Sequence, residues 1–294
     1  MDQAGRRLRQ GQRAQLFVHD LDTGTDTLVT ESSTRLFEAP NWTLAGDWLL
    51  VNADGLLFRV PAGGGDLEPL LVPGLPGINN DHVLAPDGRT VHVSGFDGHL
   101  YAVDLVGLTS RRVSNDRGDA FVHFLHGVSP DGTLLAYIGM DLLPGGGVRT
   151  NIWTVPTAGG ADVQLTDDDV PDDGSEFSPD GEWLWFNSER GSTTRGHAQL
   201  FRMRPDGTGV EQLTHDERVN WFPHVSPDGS SVVYVSFPPG TQGHPADRDV
   251  AIRRLGPDGT GTDLVHLFGG QGTMNVPSWA PDSRRFAYVA YPLA

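Results

Sequence analysis

The chain has 294 residues, 38 acidic and 21 basic side chains, a formal net charge of −17 and no cysteine. The lack of cysteine excludes a disulfide framework, a thiolate metal site and a cysteine nucleophile. The acidic balance speaks against a nucleic-acid partner, which needs a basic surface to neutralise phosphates.

The first segment, residues 1–14, carries Arg6, Arg7, Arg9 and Arg13 but no apolar core. It does not read as a signal peptide, and it is expected to be a flexible arm whose removal over residues 1–12 changes little. No stretch approaches the roughly 20 apolar residues that span a bilayer. As written the chain is expected to be cytoplasmic, or periplasmic if an export signal has been removed.

From residue 15 to 294 two units alternate. One is a pair of β-rich runs around a Gly-rich turn. It opens at Gln15–His19, with Asp22-Thr23-Gly24, and recurs at Leu56–Val60, His99–Val103, Asn151–Val155, Gln199–Met203 and Val250–Arg253. Asp-Gly and Gly-Gly between such runs are hairpin signals.

The other unit is a Pro-Asp-Gly turn leading into an apolar run. Ala-Pro-Asp-Gly stands at 85–88, Ser-Pro-Asp-Gly at 129–132, 178–181 and 226–229, and Ala-Pro-Asp-Ser at 280–283, with a degenerate copy near Asn41–Gly46. From Asp87 the next aspartates follow after 44, 49, 48 and 54 residues. That period is one four-stranded propeller blade. The runs after the turns, such as Trp183-Leu184-Trp185-Phe186 and Val232-Val233-Tyr234-Val235, are continuously apolar, as inner strands covered on both faces require.

Six units of each kind predict an all-β, six-bladed β-propeller forming a single domain over 15–294. Because the chain opens with an outer pair and closes with an inner one, two N-terminal and two C-terminal strands are expected to share the last blade. This arrangement leaves no open sheet edge.

Ser-Pro-Asp-Gly before an aromatic-rich strand, with Gly-Gly and Leu-Thr (Leu165-Thr166, Leu213-Thr214) in the next turn, resembles the WD40-like PD40 repeat of the TolB propeller. The resemblance covers about residues 15 to 294 and implies a protein-binding propeller. The repeat is also similar to that of prolyl-oligopeptidase-like peptidases and oligogalacturonide lyases. The chain lacks the hydrolase domain and the Gly-x-Ser-x-Gly elbow of the former. For the latter, the resemblance implies a His/Gln-held metal near the channel, but no matching Gln/His cluster is present.

Blade topology puts the uniform turns on one face and the irregular segments entering each inner strand on the other. Those segments supply Asn80, Asp81, His82, His126, Glu176, Trp221, His224, Gln271 and Asn275, expected to surround one end of the channel. Trp221 is a candidate to stack on a ligand. His82, His126 and His224 are candidate ligands for a divalent cation such as Zn²⁺ or Mn²⁺, competing with plain hydrogen-bonding roles. The acidic run Asp167–Asp173 is weighed for Ca²⁺ against a solvated loop, which its spacing favours. As mouth residues, His82 and His224 are expected to tolerate alanine without loss of folding.

The leading functional expectation is a non-catalytic binding or scaffold propeller that recognises a peptide segment or small polar ligand. The alternative is a metal-dependent lyase or hydrolase on an oligosaccharide.

Overall fold

The computed structural model describes residues 6–293. Among the described residues twenty-three strands follow one another in chain order. The first blade is β3 (Phe37–Trp42), β4 (Trp48–Ala53), β5 (Leu56–Pro61) and β6 (Glu68–Leu70). The second is β7 (Ile78–Leu84), β8 (Thr90–Gly95), β9 (Leu100–Asp104) and β10 (Thr109–Arg112). The third is β11 (Phe121–Val128), β12 (Leu134–Leu142), β13 (Val148–Pro156) and β14 (Val163–Gln164). The fourth is β15 (Asp172–Phe177), β16 (Leu184–Ser188), β17 (Gln199–Met203) and β18 (Glu211–Gln212). The fifth is β19 (Val219–Val225), β20 (Val232–Phe237), β21 (Ala246–Leu255) and β22 (Gly261–Gly270).

The sixth blade joins the two ends of the chain. β1 (Ala14–Asp20) and β2 (Thr25–Ser32) form a hairpin, and β1 pairs antiparallel with β23 (Arg285–Ala290). Only one regular C-terminal strand enters this blade, where two were expected. The innermost position is held by an irregular segment tied to β23 by a Trp279–Phe286 bridge and by Ala287 N–H donating to the Ser278 carbonyl. Pro277 and Pro281 flank this segment and cannot donate to a ladder, which accounts for its irregularity.

The Pro-Asp-Gly motif makes the turn between the first and second strands of a blade. In the copy at 129–132 the Ser129 hydroxyl donates to Asp131 Oδ1 at 2.6 Å and accepts from Leu134 N–H at 2.9 Å, so the serine ties the turn to the strand it starts. The glycine sits at φ between 65° and 72° in the copies at 88, 132, 181 and 229, where glycine carries no Cβ penalty. Ser283 adopts the same hand, at φ 59°, in the variant copy.

Blades pack face to face through apolar clusters. Leu16, Phe37, Val51, Phe58 and Val289 join the sixth blade to the first, and Phe222, Val233, Trp279 and Phe286 join the fifth to the sixth. Val83 and Leu100 of the second blade share a cluster with Phe121 and Trp153 of the third, where Phe121 meets Trp153 edge to face at 5.8 Å. Gly139 on β12 lies under that pair, and a Cβ there would overlap the Phe121 and Trp153 rings. Gly139→Ala is therefore expected to lower unfolding stability by roughly 1–3 kcal/mol, read from a shifted urea midpoint at unchanged m-value.

The arm departs from its expectation. Residues 1–5 lie outside the described residues, but the rest is docked. Gln12 is buried, and its Nε2 donates to Asp247 Oδ1 at 2.6 Å and to the Tyr291 carbonyl at 3.0 Å. Arg6 and Arg9 both pair with Asp247. Polar side chains hold this segment together with the single contact of Leu8 on the cluster between the sixth and first blades, so hydrophobic periodicity gives no sign of it.

Candidate functional site

Every regular inner strand breaks register at the same level of the ring: between Glu38 and Asn41, Ile78 and His82, Leu125 and Gly127, Asp173 and Glu176, and Trp221 and His224. A bulge puts an extra residue on one strand and re-aims the side chains around it. Two bulge residues, Ala39 at φ 54° and Phe222 at φ 55°, hold a backbone conformation unfavourable for residues with a Cβ. Both lie at the channel end where the irregular segments meet.

That end holds a cavity of about 280 Å³. Its lining combines apolar side chains, Phe124, Ile138, Met140 and Phe222, with polar ones, Asp81, His126, Asp173, His244, Gln271 and Asn275, and Phe222 packs directly on the His126 and His244 rings. The polar groups come from the second to sixth blades and form a chain of hydrogen bonds. His126 Nε2 donates to Asp173 Oδ1 at 2.8 Å, and His244 Nε2 stands 3.5 Å from Asp173 Oδ2. The other His244 nitrogen, Nδ1, contacts Gln271 Oε1 at 2.5 Å; because that oxygen only accepts, Nδ1 carries the hydrogen. Asn275 Nδ2 donates to the same oxygen at 3.0 Å, and Gln271 Nε2 reaches Asn80 Oδ1 at 3.4 Å.

The charges are coupled through burial. Desolvation pushes the Asp81 carboxyl up to about 6, with nearby Asp173 adding to the rise and His126 opposing it. Burial alone would also raise Asp173, but the His126 charge and the hydrogen bonds from both histidines hold it below the ordinary carboxylate range. Burial disfavours charge on His126 as well, yet Asp173 and Asp81 outweigh it and raise its pKa.

The expected mouth residues therefore divide. Asn80, Asp81, His126, Gln271 and Asn275 line the cavity together. His82, Glu176 and His224 do not. His82 is fully buried with neither ring nitrogen hydrogen-bonded, and burial lowers its pKa to about 4. His224 is buried on Glu176 and the Met274 carbonyl. Trp221 is also buried, under the His244 ring at 4.3 Å between centroids, so it supports that histidine and offers no stacking face. Asp173, His244 and Phe222 are among the lining residues outside the expected set. His244 arrives from the loop before β21, which the sequence marks only as the longest irregular connection.

The donor sets do not fit an ion. His82, His126 and His224 sit in three separate environments, and among the described residues no group of three His, Asp or Glu side chains is placed to hold a metal. In the acidic run, Arg190 clamps Asp172 through both carboxylate oxygens, at 2.8 and 2.7 Å, and Asp173 belongs to His126.

Six blades, five of them four-stranded, bulged at one end around a recess, define a β-propeller. The chain belongs to the TolB β-propeller family: the family model, described as the TolB beta propeller domain, matches residues 84–255. An uncharacterized protein of Agrobacterium fabrum is 37% identical over 270 residues, which is 90% of this chain and 87% of that one. A candidate TolB from Agrobacterium tumefaciens is 35% identical, with a TM-score of 0.86 over 96% of this chain and 99% of that chain. An oligogalacturonate lyase in complex with manganese shares the fold alone, at 16% identity and TM-score 0.58, over 89% of this chain and 69% of that chain. Among the described residues no helix is long and apolar enough to cross a membrane.

Proposed function

We propose that this propeller is a binding protein. Its channel mouth takes a peptide segment or small molecule in which a positive charge adjoins an apolar body. The observation that carries this reading is the mixed lining of the cavity, in which Asp81 and Asp173 share one recess with Phe124, Met140 and Phe222. Acidic groups in a low-dielectric recess favour a cation, and the apolar side chains beside them reward an adjoining hydrocarbon group.

The reading has a pH signature. Asp81 is faced by Asn79, His126, Asp173 and His244, with Glu38 further off. Below about pH 6 its carboxyl is protonated and neutral; above, it is charged. His126 loses its proton as pH rises through its raised pKa, so both changes make the mouth more negative. Affinity for a small cation such as phenylethylamine should therefore rise from pH 5 to pH 7, by up to about tenfold for the ionisation of one carboxylate. Calorimetric titration at the two pH values checks this, and Asp81→Asn should flatten the dependence. Equal binding of phenylethylamine and a neutral or anionic analogue, or no binding at either pH, would overturn the reading.

A further inference from the structure

Beside the mouth cavity lies a second recess of about 160 Å³, entered by the guanidinium of Arg6. Arg6 Nη1 donates to the Gln271 carbonyl at 2.6 Å and stands 3.4 Å from Glu38 Oε1, while Nη2 donates to Asp247 Oδ1 at 2.9 Å. The guanidinium carbon lies 4.0 Å from the centre of the Tyr291 ring. The carboxylate side chains are 9% and 6% exposed, and Tyr291 is fully buried, so the cradle is built into the propeller.

These are the features that discriminate a guanidinium from an ammonium: two acceptors on separate sides of a planar fork, a third on the backbone, and an aromatic face beneath. The recess is also larger than its occupant needs. Asn52 lines it, is 5% exposed, and has an Oδ1 with no hydrogen-bond partner. A buried acceptor left without a donor costs about 1–3 kcal/mol, and a further donor in the recess would remove that cost.

We infer that the Glu38–Asp247–Tyr291 cradle is an arginine-binding subsite for an extended, arginine-bearing peptide partner, and that Arg6 is its occupant in cis. The partner's arginine would replace Arg6 in the fork, and a neighbouring donor would meet Asn52 Oδ1. Asn79, Asn80 and Gln271 border both recesses, so a peptide could run from the cradle into the mouth cavity. The arm then acts as a competitor: an outside arginine binds only as far as Arg6 yields.

The inference deepens the binding reading above, and different residues report on the two. The test is the full-length Arg6→Ala variant titrated with N-acetyl-L-arginine amide, with N-acetyl-L-lysine amide as control. The variant should bind the arginine compound at least tenfold more tightly than the unaltered protein does, and should prefer it to the lysine compound. Glu38→Gln added to Arg6→Ala should remove that gain, whereas Asp81→Asn should leave it in place. If Arg6→Ala does not fold, Arg6→Lys gives the same readout, because a lysine cannot span the fork and is displaced at lower arginine-amide concentration than Arg6. Equal affinity of the variant and the unaltered protein, equal affinity for the two amides, or a gain that survives Glu38→Gln would each overturn the inference. Loss of the gain with Asp81→Asn alone would assign the arginine to the mouth cavity instead, which overturns the cradle but not the binding reading.

Discussion

A chain lacking residues 1–32 is expected to lose its closed ring and either aggregate or melt at least about 10 °C lower. β1 pairs with β23 from Gln15–Ala290 to Asp20–Arg285, so the deletion bares the whole outer edge of β23. It also removes Leu16 and Val18 from the cluster that holds Phe37, Val51 and Val289. Each such side chain contributes about 1.5–3 kcal/mol by burial, and the loss of two, together with the strand's hydrogen bonds, approaches the 5–15 kcal/mol by which a domain is stable. At roughly 2–4 °C per kcal/mol for a domain near this size, the melting point must fall far. The bared strand, Arg285–Ala290, reads Arg-Phe-Ala-Tyr-Val-Ala and would template pairing with other chains. A truncated protein that stays monomeric and melts with the full-length chain would show that the N-terminal hairpin does not close the ring.

The repeat made the architecture legible because turn chemistry is local. Proline, aspartate and glycine each satisfy a backbone requirement of the reversal itself, so five copies near a 45-residue spacing announce the blades without any tertiary information. The candidate site was legible only as a location. Which side chains reach the cavity is set by the bulges, and a bulge adds a residue without altering composition. Ala39 and Phe222 hold positive φ although neither residue type announces it. The fifth residue before each turn, namely Glu38, Asn80, Phe124, Asp173, Trp221 and Asn275, lies at the bulge level. Their chemistry there depends on partners far off in the chain: Arg6 of the arm for Glu38, His126 of the third blade for Asp173, and His244 for the Trp221 buried beneath it. Three residues further on, Glu176 and His224 already pair with each other between blades and do not line the cavity. Treating every polar residue in an entering segment as a mouth residue overlooks that inner strands are covered on both faces.

His224 is where that difference has its largest measurable consequence, because alanine here should cost about 3–5 kcal/mol. The imidazole joins three blades. Its Nδ1 meets Glu176 Oε2 of the fourth blade at 2.5 Å and its Nε2 donates to the Met274 carbonyl at 3.0 Å in the segment leading to the sixth, while the residue's backbone carbonyl, which alanine would keep, accepts from Trp279 Nε1 at 2.9 Å. The side chains of His224 and Glu176 are 4% and 8% exposed. Alanine would leave the Glu176 carboxyl in place with the Val225 N–H, at 3.1 Å, as its remaining donor, and would leave the Met274 carbonyl without a partner. It would also open a void between blades, and cavity and uncompensated polar burial add in the same direction. Urea unfolding should show a lowered midpoint. Glu176→Ala in the same chain should cost less than the two single changes summed, with a coupling of roughly 1–3 kcal/mol for groups in direct contact. Since His224 does not line the mouth cavity, the folded fraction of the variant should bind phenylethylamine as the unaltered protein does. A midpoint within experimental error of the unaltered protein, or additive losses in the double variant, would show that this pair does not staple the blades.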